Sequence, residues 1–273
     1  MKKTMGMTVT VLFLLWTSLV FCDIPDQTTI HDISFIARCD TTEQRYVLVF
    51  PRAFASDKPH DVLIALHGHG SDRWQFVRDG RDECRAARDF AAKYDMLYVS
   101  PEYRANTSWM GPKAEDDVGQ IITEMKQSHR VDRVFLCGAS MGGTSCLTFA
   151  ALHPELIDGV ASMNGTANFL EYDKFQDAIR ESFGGSKTDI PHEYRTRSAE
   201  FRPEKFTMPA GFTVSGRDSI VPPESVRRLA RAVKAQGGRV RLIDRKEMGH
   251  STDYRDAMAI LEFMREHAHK KVE

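Results

Sequence analysis

A chain of 273 residues can bury a full hydrophobic core, and it fits one large α/β domain better than two small ones. Its formal net charge of −1 gives no basic surface field and no long charge block, which argues against a nucleic-acid partner and leaves a small or neutral molecule.

At the N-terminus, Lys2 and Lys3 precede an apolar stretch from Met7 to Phe21, followed by Cys22 and the polar Asp23. This is a signal-peptide layout: the stretch is shorter than the ~20 residues a helix needs to cross a bilayer, and Val20 and Cys22 are tolerable beside a cut. Residues 1–22 are therefore expected to form a cleaved leader, with a secreted or periplasmic product and no stable membrane span. Leu19-Val20-Phe21-Cys22 also resembles a bacterial lipoprotein box in which Cys22 would be acylated, although Phe21 is bulky where a small residue is usual. Residues 23–273 then read as a single domain. Export permits disulfides among Cys39, Cys84, Cys137 and Cys146. Cys137 and Cys146 flank the nucleophile motif described below and read as buried thiols, which leaves Cys39 and Cys84 as the better pair.

From His31 to Phe50, two extended runs flank the polar stretch Asp40 to Glu43, the pattern of an antiparallel hairpin. Apolar runs then recur at Val62–Leu66, Met96–Val99, Val134–Cys137, Val160–Met163, Phe212–Val214 and Val240–Ile243, alternating with helix-period segments. Such alternation predicts a mostly parallel sheet with helices on both faces. Val118, Ile121, Ile122 and Met125 follow helical spacing, as do Val226, Leu229, Ala230 and Val233, and Ala257, Ile260, Leu261 and Met264. The second of these helices begins after Pro222-Pro223 and stops at Gly237-Gly238, the usual Pro-start and Gly-stop asymmetry. The segment from Asn168 to Met208 breaks the rhythm with many charges and scattered aromatics, and reads as a small lid inserted between two strands.

The run Val134–Cys137 ends at Gly138-Ala139-Ser140-Met141-Gly142, a G-x-S-x-G pentapeptide followed by a helical segment. A serine on a sharp strand-to-helix turn is pushed out of the sheet edge, and the glycines let strand and helix pack closely. A serine hydroxyl is nearly inert at neutral pH. It needs a base to take its proton, a carboxylate to orient that base, and donors for the oxyanion that develops. His250, in Met248-Gly249-His250-Ser251, follows the last predicted strand and precedes the last helix, which makes it the candidate base. Asp218 lies in a loop just past Phe212–Val214, well placed for the carboxylate. Asp244 is the runner-up, although it extends its strand directly. Met141, following the serine, should supply one backbone N–H to the oxyanion. The second donor is expected from the backbone of His69 in His67-Gly68-His69-Gly70. Trp74 and Trp109 flank loops at the same edge and are candidate substrate contacts. The competing reading is a zinc site at His67-x-His69, with Asp72 nearby; a mononuclear site needs a third ligand beyond the two histidines, and Ser140 would be left without a role. Two glycosylation sequons, beginning at Asn106 and Asn164, are short enough to arise by chance and suggest no function.

Together His67–Gly70, Gly138–Gly143, Gly216 through Asp218 to Pro222, and Gly249-His250 resemble the α/β-hydrolase superfamily, over most of the chain after about Gln44. Within it, the chain is similar to small secreted esterases related to feruloyl and acetylxylan esterases, and to the catalytic domain of prolyl-oligopeptidase-type serine peptidases. The resemblance implies a Ser140–His250–Asp218 triad with His69 and Met141 as oxyanion donors, and no metal or organic cofactor. The peptidases usually carry a large N-terminal propeller that gates the site, whereas here a hairpin stands at that place, so a small-molecule or carbohydrate-linked ester is the expected substrate. A non-catalytic binding protein on the same fold is the different-class alternative. Since an imidazole base must be neutral to act, turnover is expected to fall as pH drops through roughly 6 to 7.

Overall fold

A computed structural model describes residues 29–269. The expected leader and the Cys22 acylation site lie outside the described residues. β1 (Ile30–Ile36) and β2 (Glu43–Val49) form the expected hairpin, with Thr41 turning at φ 62°. There follow β3 (His60–Leu66), α1 (Gln75–Arg78), α2 (Asp82–Lys93), β4 (Leu97–Pro101), α3 (Pro112–Ser128), β5 (Val131–Ala139) and α4 (Met141–Leu152). The second half runs β6 (Gly159–Met163), α5 (Gln176–Phe183), α6 (Pro191–Arg197), β7 (Ala210–Ser215), α7 (Glu224–Ala235), β8 (Val240–Arg245) and α8 (Tyr254–His267).

The eight strands make one sheet in the order β1-β2-β4-β3-β5-β6-β7-β8. Strands β3 to β8 are parallel, and the hairpin joins them antiparallel through β2 on β4. Every residue of β3, β4, β6 and β7 is buried, as befits strands covered on both faces. Alternate side chains serve opposite faces. Leu63 and Phe135 pack with Phe90 of α2 and Leu261 of α8, whereas Ile64 and Leu136 share a second cluster with Val118 of α3, Phe149 of α4 and Leu229 of α7. The three apolar stripes read from helical spacing are all buried. At the start of α8, the Asp253 carboxylate accepts from the Asp256 N–H, capping a helix start that would otherwise leave a donor unsatisfied.

Residues 168–208 fold as α5, α6 and two short 3-10 turns, Ala199–Phe201 and Pro203–Lys205. Phe169, Tyr172, Phe183 and Tyr194 are buried in the same cluster as α3 and α4. These four aromatics, scattered in sequence, thus serve the main core, while most of the charges face outward and Arg197 turns inward. The four described cysteines are free thiols, so the expected Cys39–Cys84 bridge is not formed. Cys84 faces inward from α2 among Phe76 and Phe90, while Cys39 is exposed beside Arg104. Among the described residues no helix is long and apolar enough to cross a membrane.

One packing constraint governs the junction of β5 and α4. A Cβ added to Gly138 would stand 2.6 Å from the backbone of Gly142, and one added to Gly142 would run into the Leu66 carbonyl at the end of β3. Neither neighbour is a flexible side chain that could step aside. Gly142→Ala is therefore expected to destabilise the fold by about 2 kcal/mol or more, read as a thermal midpoint at least about 4 °C below wild type. An unchanged midpoint would show that this junction has slack.

Candidate active site

Ser140 stands between β5 and α4 with φ 57° and ψ −119°, a conformation that a residue bearing a Cβ rarely adopts. It is held there by its own N–H donating to the Met163 carbonyl at 2.8 Å and by its carbonyl accepting from the Thr144 N–H at 2.9 Å. The side chain leaves the sheet edge at a cavity of about 410 Å³, lined among others by Gly68, Arg81, Glu83, Ser140, Asn164 and His250. A larger hollow of about 520 Å³ lies elsewhere, between Phe50, Val77, Arg88 and Tyr98, and contains no paired nucleophile and base.

Three distant segments meet at Ser140. His250 Nε2 lies 2.9 Å from Ser140 Oγ, and His250 Nδ1 lies 2.6 Å from Asp218 Oδ2. The Asp218 side chain has no exposed surface. Burial pushes its carboxyl upward, but hydrogen bonds from His250, the Val221 N–H and Asn164 outweigh this and hold it below the usual carboxylate range. Its Oδ1 accepts from the backbone of Ile220 at 2.9 Å and Val221 at 2.8 Å. A charged carboxylate can only accept, so His250 carries its proton on Nδ1 and leaves Nε2 free to accept from the serine hydroxyl. Asp244 is not involved: it forms a two-point ion pair with Arg227, at 2.9 and 2.8 Å, on the outer strand β8.

Asn164, met in the sequence only as part of a sequon, is buried at the end of β6 with φ 50°. Its amide donates to Ser215 Oγ at 2.8 Å and to Asp218 Oδ2 at 3.2 Å, and its Oδ1 accepts from Thr252 Oγ1 at 2.6 Å. Ser215 Oγ in turn donates to the Ser251 carbonyl at 3.1 Å. One amide thus ties the loop carrying Asp218 to the loop carrying His250. Its place at the carboxyl edge of a strand was legible, but nothing in the sequence says which partners an asparagine will find.

Met141 is the first residue of α4, where an N–H has no helical acceptor. Gly68 lies beside the Ala139 carbonyl and donates its N–H to Gln75 Oε1 at 2.7 Å, which pins the loop after β3. Among the described residues, neither the Met141 nor the His69 backbone N–H is taken by another protein group. His67 is fully buried against Tyr103, with both ring nitrogens facing the carbonyls of Gly68 and Glu102, and burial pushes its pKa down. It supports the loop and offers no free ligand atom, so the zinc reading finds no footing in its geometry. The two tryptophans do not line the catalytic cavity either. Trp74 lies under Arg78, 3.7 Å from the guanidinium carbon, and Trp109 is fully buried, its indole N–H donating to His69 Nδ1 at 3.1 Å. Both were expected as substrate contacts. Trp109 instead packs inward, because the loop that bears it turns under the insertion.

A mostly parallel sheet with a nucleophile-bearing turn after its fifth strand defines the α/β-hydrolase class. Residues 103–271 match the prolyl oligopeptidase family, and the chain belongs to that family, a serine hydrolase by class. Among solved structures, it is similar to a putative dipeptidyl aminopeptidase IV from Bacteroides ovatus, with 16% identity and a TM-score of 0.70. The match covers 90% of this chain but 36% of that one, so the chain spans about a third of its length. It is also similar to the fluorophosphonate-binding serine hydrolase FphF of Staphylococcus aureus, with 15% identity, a TM-score of 0.69 and coverage of 89% and 99%. A third match, an S-formylglutathione hydrolase from Agrobacterium tumefaciens, has 15% identity, a TM-score of 0.68 and coverage of 89% and 96%. Identities this low speak for the fold alone. Curated protein sequences returned no match.

The Nδ1 proton of His250 has a spectroscopic signature. A proton shared between His250 Nδ1 and a buried carboxylate at 2.6 Å should give a strongly deshielded proton resonance in the wild type. Asp218→Asn should abolish that resonance, and Asp244→Asn should leave it in place. The reverse pattern would exchange the roles of the two carboxylates.

Proposed function

We propose that the protein is an exported serine carboxylesterase acting through an acyl-enzyme, with Ser140 as nucleophile, His250 as general base and Asp218 as orienting acid. The observation that carries this reading is the unbroken line of hydrogen bonds, 2.9 Å from Ser140 Oγ to His250 Nε2 and 2.6 Å from His250 Nδ1 to Asp218 Oδ2.

In the first half-reaction, His250 Nε2 takes the Ser140 proton as Oγ attacks the ester carbonyl carbon. Negative charge moves onto the carbonyl oxygen, where the backbone N–H groups of Met141 and His69 stabilise it. The intermediate collapses, the carbon–oxygen bond to the alcohol breaks, and His250 gives its proton to the departing oxygen. Water then enters on the same path. His250 removes its proton, the oxyanion forms again, and the acid leaves as Ser140 recovers its hydrogen. The buried charge on Asp218 opposes the positive charge that His250 gains in both halves, and no step calls for a metal or organic cofactor.

An ester substrate is favoured because an alcohol is easier to expel than an amine, which suits a compact cavity of about 410 Å³. The chain also covers nearly the whole length of the FphF and S-formylglutathione hydrolase structures. The second reading, a serine peptidase, draws on the family itself and on the likeness to the dipeptidyl aminopeptidase fold. Export belongs to the proposal through the leader-like layout of residues 1–22.

A panel of chromogenic acetyl, butyryl, feruloyl and long-chain esters, set beside a proline-peptide amide, tests both readings. Turnover of at least one ester, lost by a thousandfold or more in Ser140→Ala, and a nearly untouched amide are expected. Faster amide cleavage would favour the peptidase, and equal background in both proteins would favour a binding protein.

A further inference from the structure

We infer that Trp109 is a positioning residue for the oxyanion loop, and that the 168–208 insertion serves to hold it in place. The inference rests on the reading of the His69 backbone N–H as an oxyanion donor.

Three residues of the loop after β3 are each held by the segment that follows β4. The Tyr103 hydroxyl donates to the His67 carbonyl at 2.6 Å, the Gly70 N–H donates to the Asn106 carbonyl at 2.7 Å, and the Trp109 indole N–H donates to His69 Nδ1 at 3.1 Å. An indole nitrogen can only donate, so His69 Nδ1 must be the acceptor and the ring must carry its proton on Nε2. Burial pushes the His69 pKa down, which keeps the ring in the neutral form that this bond requires. The ring also meets Phe175 at 4.3 Å between centroids. A ring bonded on one edge and packed on one face cannot swing freely, and its backbone N–H is held with it.

The segment that delivers the indole is strained. Tyr103, Arg104, Trp109 and Met110 all have positive φ, at 32°, 86°, 45° and 57°. None is glycine, and such conformations persist only where the surroundings impose them. The insertion supplies those surroundings. Ser182 of α5 accepts from the Gly111 N–H at 3.1 Å and donates to the Ser108 carbonyl, and Arg197 of α6 donates to the Met110 carbonyl at 2.8 Å. Phe175 itself lies at the start of α5 with φ 53° and remains 37% exposed. Strain at Trp109 and Met110, stabilised by contacts from α5 and α6, thus has a chemical output: a fixed backbone N–H at His69.

Trp109→Phe removes the donor and keeps an aromatic ring in place, at the expense of some buried volume. Loss of a whole oxyanion donor reduces kcat by roughly 10²- to 10³-fold; loss of its support is expected to lower kcat about 10-fold, with KM within about twofold. Affinity for phenylboronic acid, whose serine adduct is tetrahedral, should fall by the same factor. Long-range 15N–1H spectra should show His69 protonated on Nε2 in the wild type and mixed between its tautomers in the variant. Should Trp109→Phe fail to fold, Phe175→Ala at its exposed site is expected to lower kcat about threefold with little change in thermal midpoint. Unchanged kcat in whichever variant folds, or a wild-type His69 protonated on Nδ1, would overturn the inference. If the wild type turns over no ester, the esterase reading fails instead, while the His69 spectra still decide the indole bond.

Discussion

The buried carboxylate of Asp218 is the constraint on which the rest of the site depends. Left to itself, a charge without solvent would take up a proton, and a neutral acid could not impose a tautomer on His250. Donors from the loops after three neighbouring strands prevent this: Asn164 after β6, the Ile220 and Val221 backbone after β7, and His250 after β8. Each loop therefore has the same charged centre as an anchor. An uncompensated buried charge costs several kcal/mol, so displacement of one loop is opposed through the other two. The Ser140 side chain then needs only to stand where Nε2 points, which the turn between β5 and α4 ensures.

Backbone strain follows the same edge of the sheet. Among the described residues other than glycine with positive φ, Thr41 and Asp95 lie elsewhere; the rest follow β4, β5 or β6 at their carboxyl ends. Ser140 and Asn164 sit directly after their strands, and Trp109, Met110 and Phe175 belong to the loops that surround the His69 turn. Among the described residues other than glycine, the opposite edge carries Asp95 alone, in the turn before β4, and there the strands otherwise enter from helices and turns. The sheet core, with its two clusters of close-packed aliphatic and aromatic side chains, supplies the rigidity that makes such conformations sustainable.

Much of this was legible in the sequence, and the reasons differ from part to part. The inner strands β3 to β7 and the helices α3, α7 and α8 announce themselves because burial on both faces leaves continuous apolar runs, and burial on one face leaves a stripe at helical spacing. Ser140, Asp218 and His250 could be singled out because each sits at a strand's end, a position that periodicity reveals. Asn164 was not, since an amide's partners depend on loops that meet only in three dimensions. Trp109 was misjudged for a related reason: tryptophan in a loop suits a pocket wall or a core equally well, and only the path of the insertion decides which. The same path explains the insertion's aromatics, whose spacing follows neither a helical nor a strand period because two short helices and two tight turns share them. The cysteines were read from the expected compartment rather than from geometry, and geometry separates Cys39 from Cys84.

Covalent capture of the nucleophile tests the central claim most directly. Treatment with a serine-directed phosphonate, followed by peptide mapping in a mass spectrometer, should place a single adduct on Ser140. Ser140→Ala should remain unmodified, and His250→Ala should react far more slowly. A folded wild type that takes up no phosphonate, or carries it on another residue while Ser140 stays free, would contradict the account.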